Sequence, residues 1–196
     1  MSARQRTAAR AGPSTRSRRY SLRHFLIVLA VGGVPANAVA ADWDQFLQAG
    51  FGPSAAKDGS ICFSRIYDTA HLAANKAQRI RDVAIRLTLR TENGERRLDH
   101  NLVAHLVGSR QKYWSGGQCS DYKGLSARCY VEGDGGGAEF VLAADGQTLT
   151  ARFDDFRIWR PQDAADESTM TFDKSPVDKI AKLARAPIAA CREAGE

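Results

Sequence analysis

What this 196-residue chain does not contain narrows its function more than what it does. It has no G-x-S-x-G elbow and no compelling Ser-His-Asp order, so the common nucleophilic hydrolase patterns are missing. Its cysteines do not form paired CxxC units, which argues against a structural zinc site. The glycine-rich run at 133–137 lacks the Lys-Ser/Thr of a P-loop and leads into strand-like residues rather than a helix. It also lacks the spaced acids of a calcium loop, so it reads as a flexible hairpin tip. There is no internal repeat, and no residue pattern calls for a cofactor.

The formal net charge of +6 points to nucleic acid only until its placement is considered. Residues 1–41 carry seven arginines (Arg4, Arg6, Arg10, Arg16, Arg18, Arg19, Arg23), no lysine and no acid. The rest holds 21 basic and 22 acidic residues and is nearly neutral. Affinity for polyphosphate comes mainly from neutralising backbone charge, so nucleic acid is excluded as the expected partner.

The arginine-rich segment ends at Arg23 and runs into Phe25-Leu26-Ile27-Val28-Leu29-Ala30-Val31, then to Val34, and Pro35 breaks it. Ala36, Ala38 and Ala40 give the A-x-A pattern twice, so residues 1–41 are expected to be a signal peptide cleaved near Ala40 or Ala41. Roughly ten apolar residues fall short of the about twenty that span a bilayer core, so no stable membrane anchor is expected after cleavage. Ser17-Arg18-Arg19-Tyr20-Ser21-Leu22-Arg23 resembles the twin-arginine export motif, which would imply export in a folded state. Ser21 stands where Phe is usual and Arg23 replaces Lys, so ordinary secretory export stays open beside it. Either route leads to an oxidising compartment, most simply a bacterial periplasm, or to secretion.

Cys62, Cys119, Cys129 and Cys191 all follow that segment, and an even count in an exported domain favours disulfides. Four cysteines allow three connectivities. Proximity across a hairpin favours Cys119–Cys129, which leaves Cys62–Cys191 to fasten the tail to the first strand.

Residues 42–60 form a lead-in, with Trp43, Phe46 and Leu47 spaced for one short amphipathic helix. Residues 61–67 read as a strand with Ile61, Phe63, Arg65 and Tyr67 on one face. Asp68 or Thr69 can cap a short helix reaching about residue 78, with Leu72, Ala73 and Ala77 inward. Val83, Ile85, Leu87 and Leu89 mark the clearest strand, and Asn93-Gly94 a hairpin turn. The returning strand, 98–108, has Leu98, His100, Leu102 and Ala104 on its even face and Asp99, Asn101, Val103 and His105 on its odd face. Further strands are expected at 111–119, 125–132, 138–142, 148–153, 156–160 and 170–172, and a helix at 177–185 opened by Ser175-Pro176. The expected fold is mainly β: an antiparallel meander of about seven or eight strands over residues 61–196, closed as a small barrel or packed as a sandwich. It carries a short helix after the first strand and a C-terminal helix.

Chemically capable side chains concentrate at Arg65, Tyr67, Asp68 and His71. Arg65 shares a face with apolar residues and needs a partner if buried, either Asp68 or the carboxylate or phosphate of a ligand. His71 lies three residues from Asp68, within hydrogen-bonding reach. The competing reading is a capped strand–helix junction. Asp154-Asp155 at a turn, and a sugar-stacking surface made of Tyr113-Trp114 and Trp159, are weaker candidates; adjacent strand residues point to opposite faces, and core packing suits these aromatics better. The string Cys62-Phe63-Ser64-Arg65-Ile66-Tyr67-Asp68-x-x-His71-Leu72, with Cys129-Tyr130-Val131-Glu132-Gly133-Asp134-Gly135-Gly136-Gly137, resembles small exported bacterial proteins of uncharacterised function. It covers about half of the domain and implies the fold rather than any chemistry. Three functions follow as expectations. The first is a non-catalytic periplasmic domain binding an envelope ligand or protein, inhibitor-like in one form. The second is an envelope hydrolase using His71 with Asp68 or Asp154. The third is a structural envelope component without a ligand.

Overall fold

A computed structural model describes residues 36–160 and 169–192, with side chains from residue 42. The expected signal segment falls outside the described residues up to position 35.

The sheet is a closed antiparallel barrel of eight strands. β1 (Gly59–Ile66) pairs with β2 (Ile80–Glu92). The meander continues through β3 (Glu95–Leu106), β4 (Lys112–Lys123), β5 (Ser126–Val131), β6 (Gly137–Leu142) and β7 (Thr148–Asp154). β8 (Arg157–Ile158) and β9 (Met170–Thr171) form a separate two-stranded sheet. β10 (Ile180–Ala186) lies between β7 and β1 and closes the ring.

Alternation explains the interior. Val83, Ile85, Leu87 and Leu89 of β2 and Leu98, His100, Leu102 and Ala104 of β3 are all buried, because a pleated strand sends every second side chain to one face. Ala127, Cys129 and Val131 of β5 repeat the pattern. The β2–β3 turn is built as expected, with Asn93 and Gly94 both at positive φ (53° and 82°). Positive φ at Gly133 and Gly136 likewise makes the glycine-rich run a hairpin connection from β5 to β6.

The two ends of the barrel are covered differently. α1 (Ala36–Phe51) carries Phe46 and Leu47 into the main core, and Trp43 packs edge-on against Tyr122 at 4.4 Å. Asp42 anchors this helix by accepting the Gly124 N–H at 2.8 Å. At the other end, Phe153, Phe156 and Phe172 form an aromatic cluster. There Asp173 accepts the Phe156 N–H at 3.0 Å and Asp178 the Arg79 N–H at 3.0 Å.

Two expectations are corrected. Residues 177–185 are not a helix: Pro176–Asp178 makes one tight turn and the chain then enters β10. Ala181 and Leu183 are buried while Ile180 and Lys182 face out, a period of two. β1 and β7 would otherwise leave open edges, and pairing with both outweighs weak helical periodicity. The short helix α2 (Thr69–Ala74) exists, capped by Asp68, but ends earlier than expected and buries no residue. Ala73 and Ala77 are exposed, and Gln78 is the residue that turns inward.

The disulfides are Cys62–Cys191 and Cys119–Cys129. The second joins directly opposed positions on β4 and β5. The first ties the tail to the outer face of β1, where Cys62, Ala84, Val103 and Cys191 make a small second core with Trp114 against it. Disulfides of this kind suit an oxidising compartment outside the cytoplasm. Among the described residues, no helix is long and apolar enough to cross a membrane.

Candidate functional site

The β1–α2 junction gathers the residues singled out in the sequence, mostly through bonds to one another. Asp68 Oδ1 accepts the His71 backbone N–H at 2.7 Å, which is the helix cap itself. Arg65 is exposed, with its guanidinium 5.2 Å from the centre of the Tyr67 ring. Tyr67 stacks on His71 at 4.8 Å, and His71 Nε2 bonds Gln78 Oε1 at 2.9 Å. Burial raises the Tyr67 hydroxyl above its ordinary range, against the pull of Gln78 and Arg65. Asp154 stands at the same end of the barrel by strand register, but its carboxylate binds Arg128 at 2.8 Å. No hydrogen bond among those described joins His71 to Asp154.

A different face offers an open concavity. The outward side chains of β3 and β4 border a groove of about 250 Å³. Trp114 and Trp159 form one wall, edge-to-face at 4.7 Å, and each donates its backbone N–H to the carbonyl of the other at 2.9 and 3.0 Å. Both indoles are half-buried, so neither is pure core. Asp99, Asn101, Gln118 and Glu132 supply polar groups, with Arg90 at the far end. The floor is open because β4 carries Gly116-Gly117 there. A side chain at Gly117 would collide with the Tyr130 carbonyl, and one at Gly116 would meet Asn101 Oδ1 at 2.9 Å. The pair therefore allows β4 to pack on β5 while leaving space outside.

Asp99 is the distinctive group in this groove. Its Oδ2 takes the Arg90 guanidinium at 2.5 Å, while its Oδ1 is buried with no hydrogen-bond partner among the described residues. Burial raises the carboxyl above the usual carboxylate range, and Arg90 opposes that shift. One oxygen is thus oriented by an ion pair, and the other is an unpartnered acceptor beneath the groove surface. Asp99 and Asn101 share the odd face of β3 by parity, which the sequence displays; that Trp114 joins them across the β3–β4 register, and that two glycines clear the floor between them, it does not.

His100 and His105 point to opposite faces, as their odd spacing requires. His105 is half-buried rather than free on the surface, with Nδ1 bonded to Asp82 at 2.7 Å across β2 and β3. His100 is fully buried, and neither ring nitrogen meets hydrogen-bond geometry with any described group. Burial lowers its pKa to about 4, opposed by the Gly117 backbone.

Comparisons with protein-family models, curated proteins and solved structures give no match for this chain.

Proposed function

We propose that this chain is an exported, non-catalytic β-barrel of the bacterial periplasm that binds an envelope saccharide in the β3–β4 groove. The observation that carries the reading is the Trp114–Trp159 wall facing Asp99, Asn101 and Gln118 across a glycine floor. A sugar ring presents C–H faces that pack on indole and hydroxyls that require oriented acceptors and donors. Concavities with an aromatic wall and a few fixed polar groups are the usual form of small-ligand sites. The groove is open and half-polar, which suits a hydrophilic ligand better than an apolar one. Two disulfides and a signal-like N-terminal segment support placement outside the cytoplasm. The hydrolase reading lacks comparable support, because Asp68 serves the helix cap, Asp154 an arginine and His71 a glutamine.

The test is titration of the oxidised, purified protein with oligosaccharides built on N-acetylglucosamine, read by tryptophan fluorescence and calorimetry. Trp114→Ala and Gln118→Ala are expected to weaken binding by tenfold or more, the effect of losing about 1.4 kcal/mol of contact. Absence of binding to the series, or binding unmoved by Trp114→Ala, overturns the reading. A protein partner is the second reading, favoured by Ile66 at 77% exposure beside Arg65 and Tyr67. It expects Arg65→Ala and Ile66→Asp, but not Trp114→Ala, to abolish capture of one specific envelope protein.

A further inference from the structure

Beneath the groove, which His100 also borders, three metal-capable side chains converge inside the barrel. A His100 nitrogen and the sulfurs of Cys119 and Cys129 all lie within 4.8 Å of one another. His100 and Cys129 are 0% exposed and Cys119 is 9% exposed. The ring of His100 packs among Phe140 at 5.7 Å and Phe156 at 5.8 Å, and neither nitrogen meets hydrogen-bond geometry with a described group, the Gly117 backbone being the polar group that acts on it. A buried imidazole without hydrogen bonds costs free energy that an isosteric apolar residue would not, so its presence calls for a ligand. In the oxidised protein the sulfurs bond to each other.

We infer that Cys119, Cys129 and His100 form a redox-gated site for a zinc-type divalent cation, closed by the disulfide and opened by reduction. Opening takes a dithiol of the thiol–disulfide oxidoreductase class. Its thiolate attacks the sulfur of Cys119, the less buried of the two, and Cys129 leaves as a thiolate. The reductant's second thiol then attacks the mixed disulfide, releases Cys119 and departs as its own disulfide, so two electrons pass to the protein sulfurs. The cation binds both thiolates and the neutral imidazole, and the protons the thiols would otherwise carry go to solvent.

The chemistry of the pocket favours this cation class. Thiolate and imidazole are soft and borderline donors, which suit zinc rather than calcium or magnesium. Two thiolate charges cancel the charge of a divalent ion, so the complex is neutral in an interior that would reject a net charge. Zinc binds sulfur at about 2.3 Å and imidazole nitrogen at about 2.0 Å. Ligand atoms already within 4.8 Å of one another therefore need only rotamer adjustment. A fourth position falls to water.

Cobalt(II) is the probe. The protein is reduced with a phosphine, its fold is checked by circular dichroism, and cobalt is titrated in. The expected result is a thiolate-to-cobalt charge-transfer band that saturates at about one ion per chain and is displaced by zinc. His100→Leu should weaken binding at least about 100-fold, the upper range seen even for groups one shell further out. The Cys119→Ser/Cys129→Ser variant keeps Cys62 and Cys191, should show no band, and decides the matter if His100→Leu fails to fold. The inference is overturned if folded, reduced protein gives no band or if the double serine variant gives the same band. It is equally overturned if His100→Leu binds as tightly as the parent, or if reduction alone unfolds the barrel and leaves the disulfide a purely structural staple.

Discussion

Single residues set the acid stability of this barrel. His100 has a folded-state pKa of about 4 against about 6.5 in an unfolded chain. Above pH 6.5 both states are neutral and the residue adds no pH dependence. Between 6.5 and 4 the unfolded chain takes up a proton that the folded chain refuses, so stability falls as pH falls. Below 4 the loss is complete, at about 3 kcal/mol. Asp99 and Asp178, both raised by burial, slope the opposite way, so the informative quantity is a difference. Urea midpoints of wild type and His100→Leu across pH 4–7 should converge toward neutrality and part in acid, with the leucine variant the more stable; parallel profiles would refute this assignment. The groove floor gives a second residue-scale expectation. Gly117→Ala drives a methyl into the Tyr130 carbonyl and should cost about 1–3 kcal/mol or more. Gly116→Ala meets the movable end of Asn101 at 2.9 Å and the His100 carbonyl less closely, at 3.3 Å, and should cost about 1 kcal/mol or less while narrowing the groove. Equal losses in the two variants would show that the two glycines do not divide these tasks.

At the level of elements, the strands were legible where alternation was strict and where turn residues left no choice, as in β2, Asn93-Gly94 and β3. β10 was not, because Val177, Ile180, Leu183 and Ala184 follow helical spacing, and only the unsatisfied edges of β1 and β7 override it. The same limit applies to the site. Arg65, Tyr67, Asp68 and His71 are close in sequence and were visible as a cluster, whereas the groove joins Asp99, Trp114 and Trp159 from three segments that only the barrel brings together. The disulfides are elements whose worth follows from loop length. Cys62–Cys191 closes 129 residues and Cys119–Cys129 only 10. In the chain-entropy account these stabilise by about 5 and about 3 kcal/mol respectively. Cys62→Ser/Cys191→Ser should therefore lower the urea midpoint more than Cys119→Ser/Cys129→Ser does. The reverse order would mean that native contacts around the barrel-wall pair, rather than loop entropy, dominate.

For the whole molecule the critical event is closure. Strands β2 to β7 form a meander of neighbours in sequence, and β1 adds to β2, but the ring is completed only when β10 pairs with β1 at Cys62–Ser64 and with β7 along Thr148–Arg152. That contact joins the two ends of the domain in sequence, so it is the pairing with the largest loop-closure cost. A chain ending at Lys179 would leave two open strand edges and expose the side of the core filled by Ala181 and Leu183. It would also lose Cys191, so the Cys62→Ser/Cys191→Ser variant serves as the control that removes the staple and keeps the strand. Size-exclusion chromatography with light scattering should find that control monomeric, though less stable, and the truncated chain in oligomers or aggregates. A truncated chain that elutes as a folded monomer would mean that β1 and β7 can close against each other, and that β10 is an accessory to the barrel rather than its final stave.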